Sequence, residues 1–407
     1  MPQLPTIDSI LSVQGLAPNP GGAQEATLLV AVVLEEGPLG WGVCPLGGAA
    51  PGYPQPLTGD TARALLEELA MPALSKRSWS GFRQAATTLA GLRQKAVITR
   101  EVPRDGHVSR RDVIAGRLSA ARQPRLEHVE VERPLHPALR LAVEQALLAA
   151  EAAWRGQSQA AVLASAFDRA LAPAPPALQL AIRGGQALQV LTEVKALAYM
   201  TKSAEPQRAL GRSGEKLQAF VRQLAAQTRV SKTPILTLQV DVRGALGQLF
   251  DNNLGQILGA LYGLEQAAKP LLVRIVDPLP PTAGMEQLAE LRELIRFRRM
   301  AMELVARAEL NSAVDVRTIV EAEAVDMVWL ELERLGSLAE VMVAAQIAQS
   351  AETDVIVGAG PPELLAQVAW AAGPALVAAP DDQTGLAALV NEMRRLSVGG
   401  SFLNSIG

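Results

Sequence analysis

The chain has 407 residues, 49% of them hydrophobic and 19% charged, with a net charge of −3 and a pI near 5.8. That length exceeds one small core and suggests two domains, or one barrel plus an addition. The absence of a basic surplus sets nucleic acid aside as a partner, and no apolar run reaches the roughly 18 residues of a membrane span.

The opening MPQLPTIDSI lacks the basic-then-apolar pattern of a signal peptide, so a cytoplasmic protein is expected. ATLLVAVVLEEG (26–37) reads as a strand. GPLGWGVCPLGG after it is turn-rich, with a hairpin fitting 37–40. Cys44 in that segment is the single cysteine, which excludes an internal disulfide and a cysteine metal cluster; it reads as a small filler. From Thr58 to Val97 the pattern is helical, opening on a capping Thr or Asp. Residues 98–134 carry many charges and read as an exposed connection with some helix. HPALRLAVEQALLAAEAAW (136–154) is an amphipathic helix, with Leu139, Val143, Ala146, Leu147 and Ala150 on one face. The three histidines, His107, His128 and His136, show no ligand spacing, so a histidine metal site is not expected.

After the Pro-rich segment 172–178 the texture changes. Eight short apolar runs begin near residues 177, 193, 235, 271, 302, 327, 354 and 374. Helical stretches such as 214–227, 285–299 and 336–349 separate them. This alternation predicts an α/β fold, a (β/α)₈ barrel over 161–407 preceded by an α+β capping domain over 1–160. An open doubly wound sheet is the alternative, but no GxGxxG follows the first strand. In a barrel, chemistry gathers at the C-terminal strand ends. The positions to inspect there are Arg183, Met200, Asp241, Val276 and Asp277, Arg307 and Glu309, Trp329 and Glu331, and Gly360 with Pro361.

Four segments in order resemble the methylaspartate ammonia-lyase family of the enolase superfamily: HPALRLAVEQALLAAE, LGRSGEKLQAFVRQL, DVRGALGQLFDNN and VNEMRR. Together they span about 136–395. The resemblance implies a capped barrel, a homodimer and a magnesium-assisted elimination of ammonia from 3-methylaspartate to give mesaconate. In the family, three carboxylates on consecutive strands hold the metal, and a lysine and a histidine act as bases on opposite faces.

Carried over strand by strand, most of these groups are missing. Asp241 matches the first metal carboxylate. The second falls on Val276, with Asp277 one residue late and therefore expected to face away from the barrel axis. The third falls on Arg307. The lysine base is Glu331, the histidine base is Met200, and the substrate glutamines become Arg183 and Trp329. The substrate turn on the seventh strand becomes Gly358 to Pro361. The metal site therefore reads as lost, and no cofactor is expected.

Each of these residues has a plain reading beside the functional one. Asp241 is either a residual metal ligand or an inward carboxylate paired with Arg307. Arg307 and Glu331 are either a new catalytic pair or a salt bridge filling the old site. Trp329 either stacks on a ligand or fills space. Arg183, with Arg307, is either an anion site or a salt-bridged arginine; Gly360 completes the ligand-binding candidates. The favoured expectation is a catalytically inactive homologue with a structural, regulatory or partner-binding role, paired with itself, a related enzyme or another protein. A divergent lyase on a carboxylated small molecule and a non-enzymatic small-anion binder are the alternatives.

Overall fold

In a computed structural model, the structure describes residues 6–403 apart from 19–23, 36, 49, 51, 54, 103–124, 182–193, 202–204, 231–234 and 381. His107 and Arg183 lie outside the described residues.

The chain opens on a three-stranded antiparallel sheet, β1 (Ile7–Pro18), β2 (Gln24–Leu34) and β3 (Leu39–Pro45), in that spatial order. The hairpin expected near 37–40 joins β2 to β3, with Val33 opposite Leu39. The segment around Trp41 is a strand rather than a run of turns. Its glycines alternate with larger residues, and Gly40 and Gly42 face a helix so close that no Cβ fits. A Cβ at Gly42 would lie 1.8 Å from the Ala142 carbonyl oxygen. That helix, α4, is the predicted amphipathic one and runs Pro137–Arg155. Its first turn is capped by His136, whose Nδ1 accepts from the Ala138 amide at 3.3 Å, and Gly156 ends it in a left-handed conformation. Burial pushes the His136 pKa down to about 4, so the ring is neutral and free to accept.

Between sheet and helix the segment from Gly59 forms α1 (Gly59–Leu65), a π-helical turn, α2 (Met71–Leu74) and α3 (Phe82–Gly91), with Thr58 as the N-cap. Helix then gives way to strand sooner than its periodicity predicts. β4 (Arg93–Val102) pairs antiparallel with β5 (Arg125–Pro134), where an exposed connection with helix is expected from the charges. In β5 charged and apolar residues alternate, but Glu127, His128, Glu130 and Glu132 are all exposed. A ribbon with so little core beneath it shows little hydrophobic contrast, which hides its period of two.

A short helix, α5 (Gln159–Ala166), leads to the barrel. Its eight parallel strands close in the order β10-β11-β12-β13-β6-β7-β8-β9. They are β6 (Ala177–Ala181), β7 (Val194–Met200), β8 (Thr237–Asp241), β9 (Leu272–Val276), β10 (Met302–Ala306), β11 (Met327–Glu331), β12 (Asp354–Gly358) and β13 (Leu376–Ala378). Each falls in one of the eight apolar runs, and closure excludes the open sheet. The barrel interior is a packed cluster of Val276, Val305, Met327, Trp329, Ile356 and Leu376 with small residues between them, as expected of a filled barrel rather than a pore. No helix among the described residues is long and apolar enough to cross a membrane.

Candidate functional site at the barrel mouth

Asp241 ends β8, Arg307 follows β10 directly, and Glu331 ends β11. Parallel strands in register bring all three ends to one level of the mouth, where they meet. Arg307 Nη1 donates to Asp241 Oδ2 at 2.6 Å, and its Nε and Nη2 donate to Glu331 Oε1 at 2.8 and 2.6 Å. The carboxylate side chains are 5% and 8% exposed, so the pairs are largely desolvated. Burial opposes the charge on Arg307, but Glu331 and then Asp241 outweigh it and hold its pKa above the ordinary value. Burial raises the Asp241 pKa against the pull of Arg307 and Arg243.

Trp329 supports this cluster from below. Its ring lies under the guanidinium of Arg307, 4.5 Å from carbon to centroid, a cation–π contact. It also abuts Gly358, where a Cβ would come within 2.7 Å of the indole nitrogen. The indole is 9% exposed and belongs to the interior cluster, so it fills the barrel rather than standing open at its mouth. Met200 pairs in register with Asp241 and touches the guanidinium of Arg243 at the rim. Gly360 lies beside Leu332, beyond the end of β12.

Val276 faces the interior as its alternation predicts. Asp277 does not take the opposite face. Its backbone leaves β9 in the left-handed region, with φ of 47°, so the period of two no longer applies. Its carboxylate accepts from the Arg307 amide at 2.9 Å and the Ala308 amide at 3.1 Å, and it lines the same cavity of about 280 Å³ as Asp241. Burial pushes its pKa up to about 6, with the Asp241 charge adding to the effect and the two amides opposing it.

Two carboxylates on one cavity invite a test of fit for magnesium, which needs several oxygen ligands. All four of their oxygens already accept hydrogen bonds: Asp241 from the Arg243 amide at 3.1 Å and from Arg307, Asp277 from the two amides. The third position holds a guanidinium instead of an acid. Among the described residues no group of three or more potential ligands converges. The described residues at this point do not fit the ion.

Sequence reasoning missed two participants, Arg334 and Arg243, and misplaced a third, Asp277. Arg334 donates to Glu331 Oε2 at 2.9 Å and to the Ala308 carbonyl at 2.7 Å; its spacing of three from Glu331 on a helical turn was the available signal. Asp277 was hidden by its backbone. Arg243, also at positive φ, lines the cavity beside Pro280 and Leu288. It has no carboxylate within salt-bridge distance among the described residues.

Comparison with known proteins gives this arrangement a family. Residues 189–398 match the family model for the methylaspartate ammonia-lyase C-terminus. The chain belongs to the methylaspartate ammonia-lyase family. It is 29% identical over 232 residues to methylaspartate ammonia-lyase 2 of Carboxydothermus hydrogenoformans, covering 53% of this chain and 54% of that protein. It is 28% identical over 281 residues to the enzyme of Haloarcula marismortui, covering 64% and 66%. The matches thus span about half to two thirds of the relatives' length. The β-methylaspartase of Clostridium tetanomorphum superposes with a TM-score of 0.76 at 20% identity, over 97% of this chain and 99% of that one. The muconate lactonizing enzyme of Pseudomonas putida does so at 0.60 and 14%, over 90% and 84%. These likenesses establish the capped-barrel fold.

Proposed function

We propose that this protein does not eliminate ammonia from methylaspartate, and that it serves a structural, regulatory or partner-binding role on a lyase scaffold. The observation that carries this reading is the position of Arg307. Its guanidinium occupies the point where Asp241 and Glu331 converge, and it uses three donors on them. A fixed cation there supplies charge but no open coordination position. The two positions that match the family's bases do not supply one. Glu331 is committed to two arginines, and Met200 cannot take a proton. The test is incubation with 3-methylaspartate and millimolar magnesium, followed by the ultraviolet absorbance of mesaconate. No absorbance change is expected. Magnesium-dependent mesaconate would reject the reading in favour of a divergent lyase.

A second reading, a small-anion binder, is favoured by one feature. The cavity presents Arg243 without a carboxylate partner among the described residues, facing an apolar wall that includes Leu279, Pro280 and Leu288. Dicarboxylates that raise the thermal midpoint without turnover would support it, with the rise lost in Arg243→Ala. An unchanged midpoint at saturating concentrations would dismiss it.

A further inference from the structure

The interior of the barrel has two unlike sides. Toward β10 to β13 it is filled by Val305, Met327, Trp329, Ile356 and Leu376. The side toward β6 to β9 carries polar residues, and the register fixes which ones. Residues in register on neighbouring strands share a face, as do residues two apart on one strand. Gln179 pairs with Ala196 on β7 and Ala378 on β13, both interior residues. Gln239 lies two before Asp241, the register partner of the interior Val276. Both glutamines therefore point inward, and they are 1% and 0% exposed. The stagger of the strands sets them at one level with Val305 and Ile356. Those four make an interior layer supplied by alternate strands.

Neither amide has a hydrogen-bond partner among the described residues, on nitrogen or on oxygen. The Trp329 indole N–H has none either. A Cβ at Gly358 would lie 2.7 Å from the indole nitrogen and 2.8 Å from the Ala378 Cβ, and Ala378 is the register partner of Gln179. The three polar groups thus gather on one side of the interior. Buried polar groups are nearly always bonded, so this gathering calls for a ligand. The neighbouring side chains leave room for one. Ala196 and Ala198 on β7 stand between the two glutamines, with Ala181 on β6 and Ala378 on β13, where barrel interiors ordinarily hold bulky branched residues.

We infer that this part of the barrel is a binding site for a cluster of water molecules, held by the amides of Gln179 and Gln239 and by the indole N–H of Trp329. The groups select the ligand. Two oxygens accept, two amide nitrogens and one indole nitrogen donate, and none is charged. A divalent cation needs several oxygen ligands and would find two. An anion would need a free cation, and Arg274, the register partner of Gln239, is already paired with Glu303 at 2.5 Å. Water both donates and accepts. A buried water makes about three bonds to groups of this kind, so these five atoms call for about two waters. The register also supplies the way in. Gln239, Arg274 and Glu303 lie on one line across β8, β9 and β10. Glu303 is the second residue of β10, so this line runs to the N-terminal face of the barrel, where its side chain is 31% exposed. Exchange with solvent passes this ion pair.

The test is oxygen-17 magnetic relaxation dispersion of water in solutions of the full chain, together with a crystal structure fine enough to show ordered water. Gln179→Leu combined with Gln239→Leu should lower the dispersion amplitude by about two long-lived waters. If that double variant does not fold, Gln239→Leu alone should lower it by about one. Density should lie within hydrogen-bond distance of both parent amides. Glu303→Ala should shorten the residence time of these waters and leave their number as it is. An amplitude that the glutamine substitutions do not change overturns the inference. So does a crystal structure in which the two amides bond to each other with no water between them. A residence time unchanged in Glu303→Ala overturns the route past the ion pair.

Discussion

An arginine held between two carboxylates and resting on an indole is favourable only as a set, because each member offsets the desolvation cost of another. Arg307, Asp241, Glu331 and Trp329 form such a set. Arg307→Ala leaves two largely buried carboxylates facing each other, and it should lower unfolding stability by about 3–5 kcal/mol in urea titrations. Arg307→Met with Asp241→Asn and Glu331→Gln removes the charges together, and it should recover most of that loss. If the triple variant is no better than the single one, charge burial is not what the arginine relieves. Asp277 gives a prediction of the opposite sign. Its pKa is raised from 3.8 to about 6, so the folded state holds a proton that the unfolded chain has released. The penalty is therefore present above pH 6 and lifts as pH falls through 6 toward 3.8. Wild type should gain stability relative to Asp277→Asn over that fall. Denaturant midpoints of the two proteins that run parallel across the window would contradict it.

The close approach of β3 and α4 is a property of two elements. A Cβ at Gly40 would lie 2.0 Å from the Ala146 carbonyl oxygen, and one at Gly42 1.8 Å from that of Ala142. Both obstacles are helix backbone, which cannot rotate aside. Gly42→Ala should therefore push the sheet off the helix and cost several kcal/mol, about as much as severe overpacking. Gly48→Ala, with nothing within 4 Å, should be neutral. Equal thermal midpoints for the two variants would disprove the contact. The same elements show what was legible beforehand. The barrel strands were readable because buried parallel strands are continuous apolar runs. β3 was not, because glycines that serve a helix contact look like turn residues when the helix is out of sight. β1 passed unread, and β4 and β5 were masked by surface charge. At the mouth, the meeting of Asp241, Arg307 and Glu331 was expected from strand order together with the family positions that the three residues occupy. Asp277 could not be placed, since alternation says nothing once the backbone turns left-handed.

At the scale of the whole molecule, α4 is the element that ties the sheet to the barrel. It packs on β2 and β3 and reaches α13 (Leu338–Ser350) through Glu144. Glu144 is fully buried. It pairs with Arg140 at 3.0 Å, and it accepts from the Ser337 hydroxyl at 2.8 Å and from the Ala339 amide at 3.2 Å. Ser337 is also the N-cap of α13, where its hydroxyl accepts from the Glu340 amide. One carboxylate on the helix under the sheet thus holds the start of a helix on the barrel. Such a joint makes the two parts unfold together, since releasing either strands a buried charge. Glu144→Gln should lower stability by about 3 kcal/mol, and a cycle with Ser337→Ala should show that the two losses do not add. Trp79, 3% exposed beside the sheet, and Trp370, 7% exposed on the barrel helix Pro362–Ala372, report the two parts separately once the other tryptophans are replaced by phenylalanine. In the parent protein both fluorescence transitions should fall at one urea concentration, and Glu144→Gln should move them down together. Transitions that separate in the parent, or a variant that shifts only the Trp79 signal, would show that the joint does not couple the two parts.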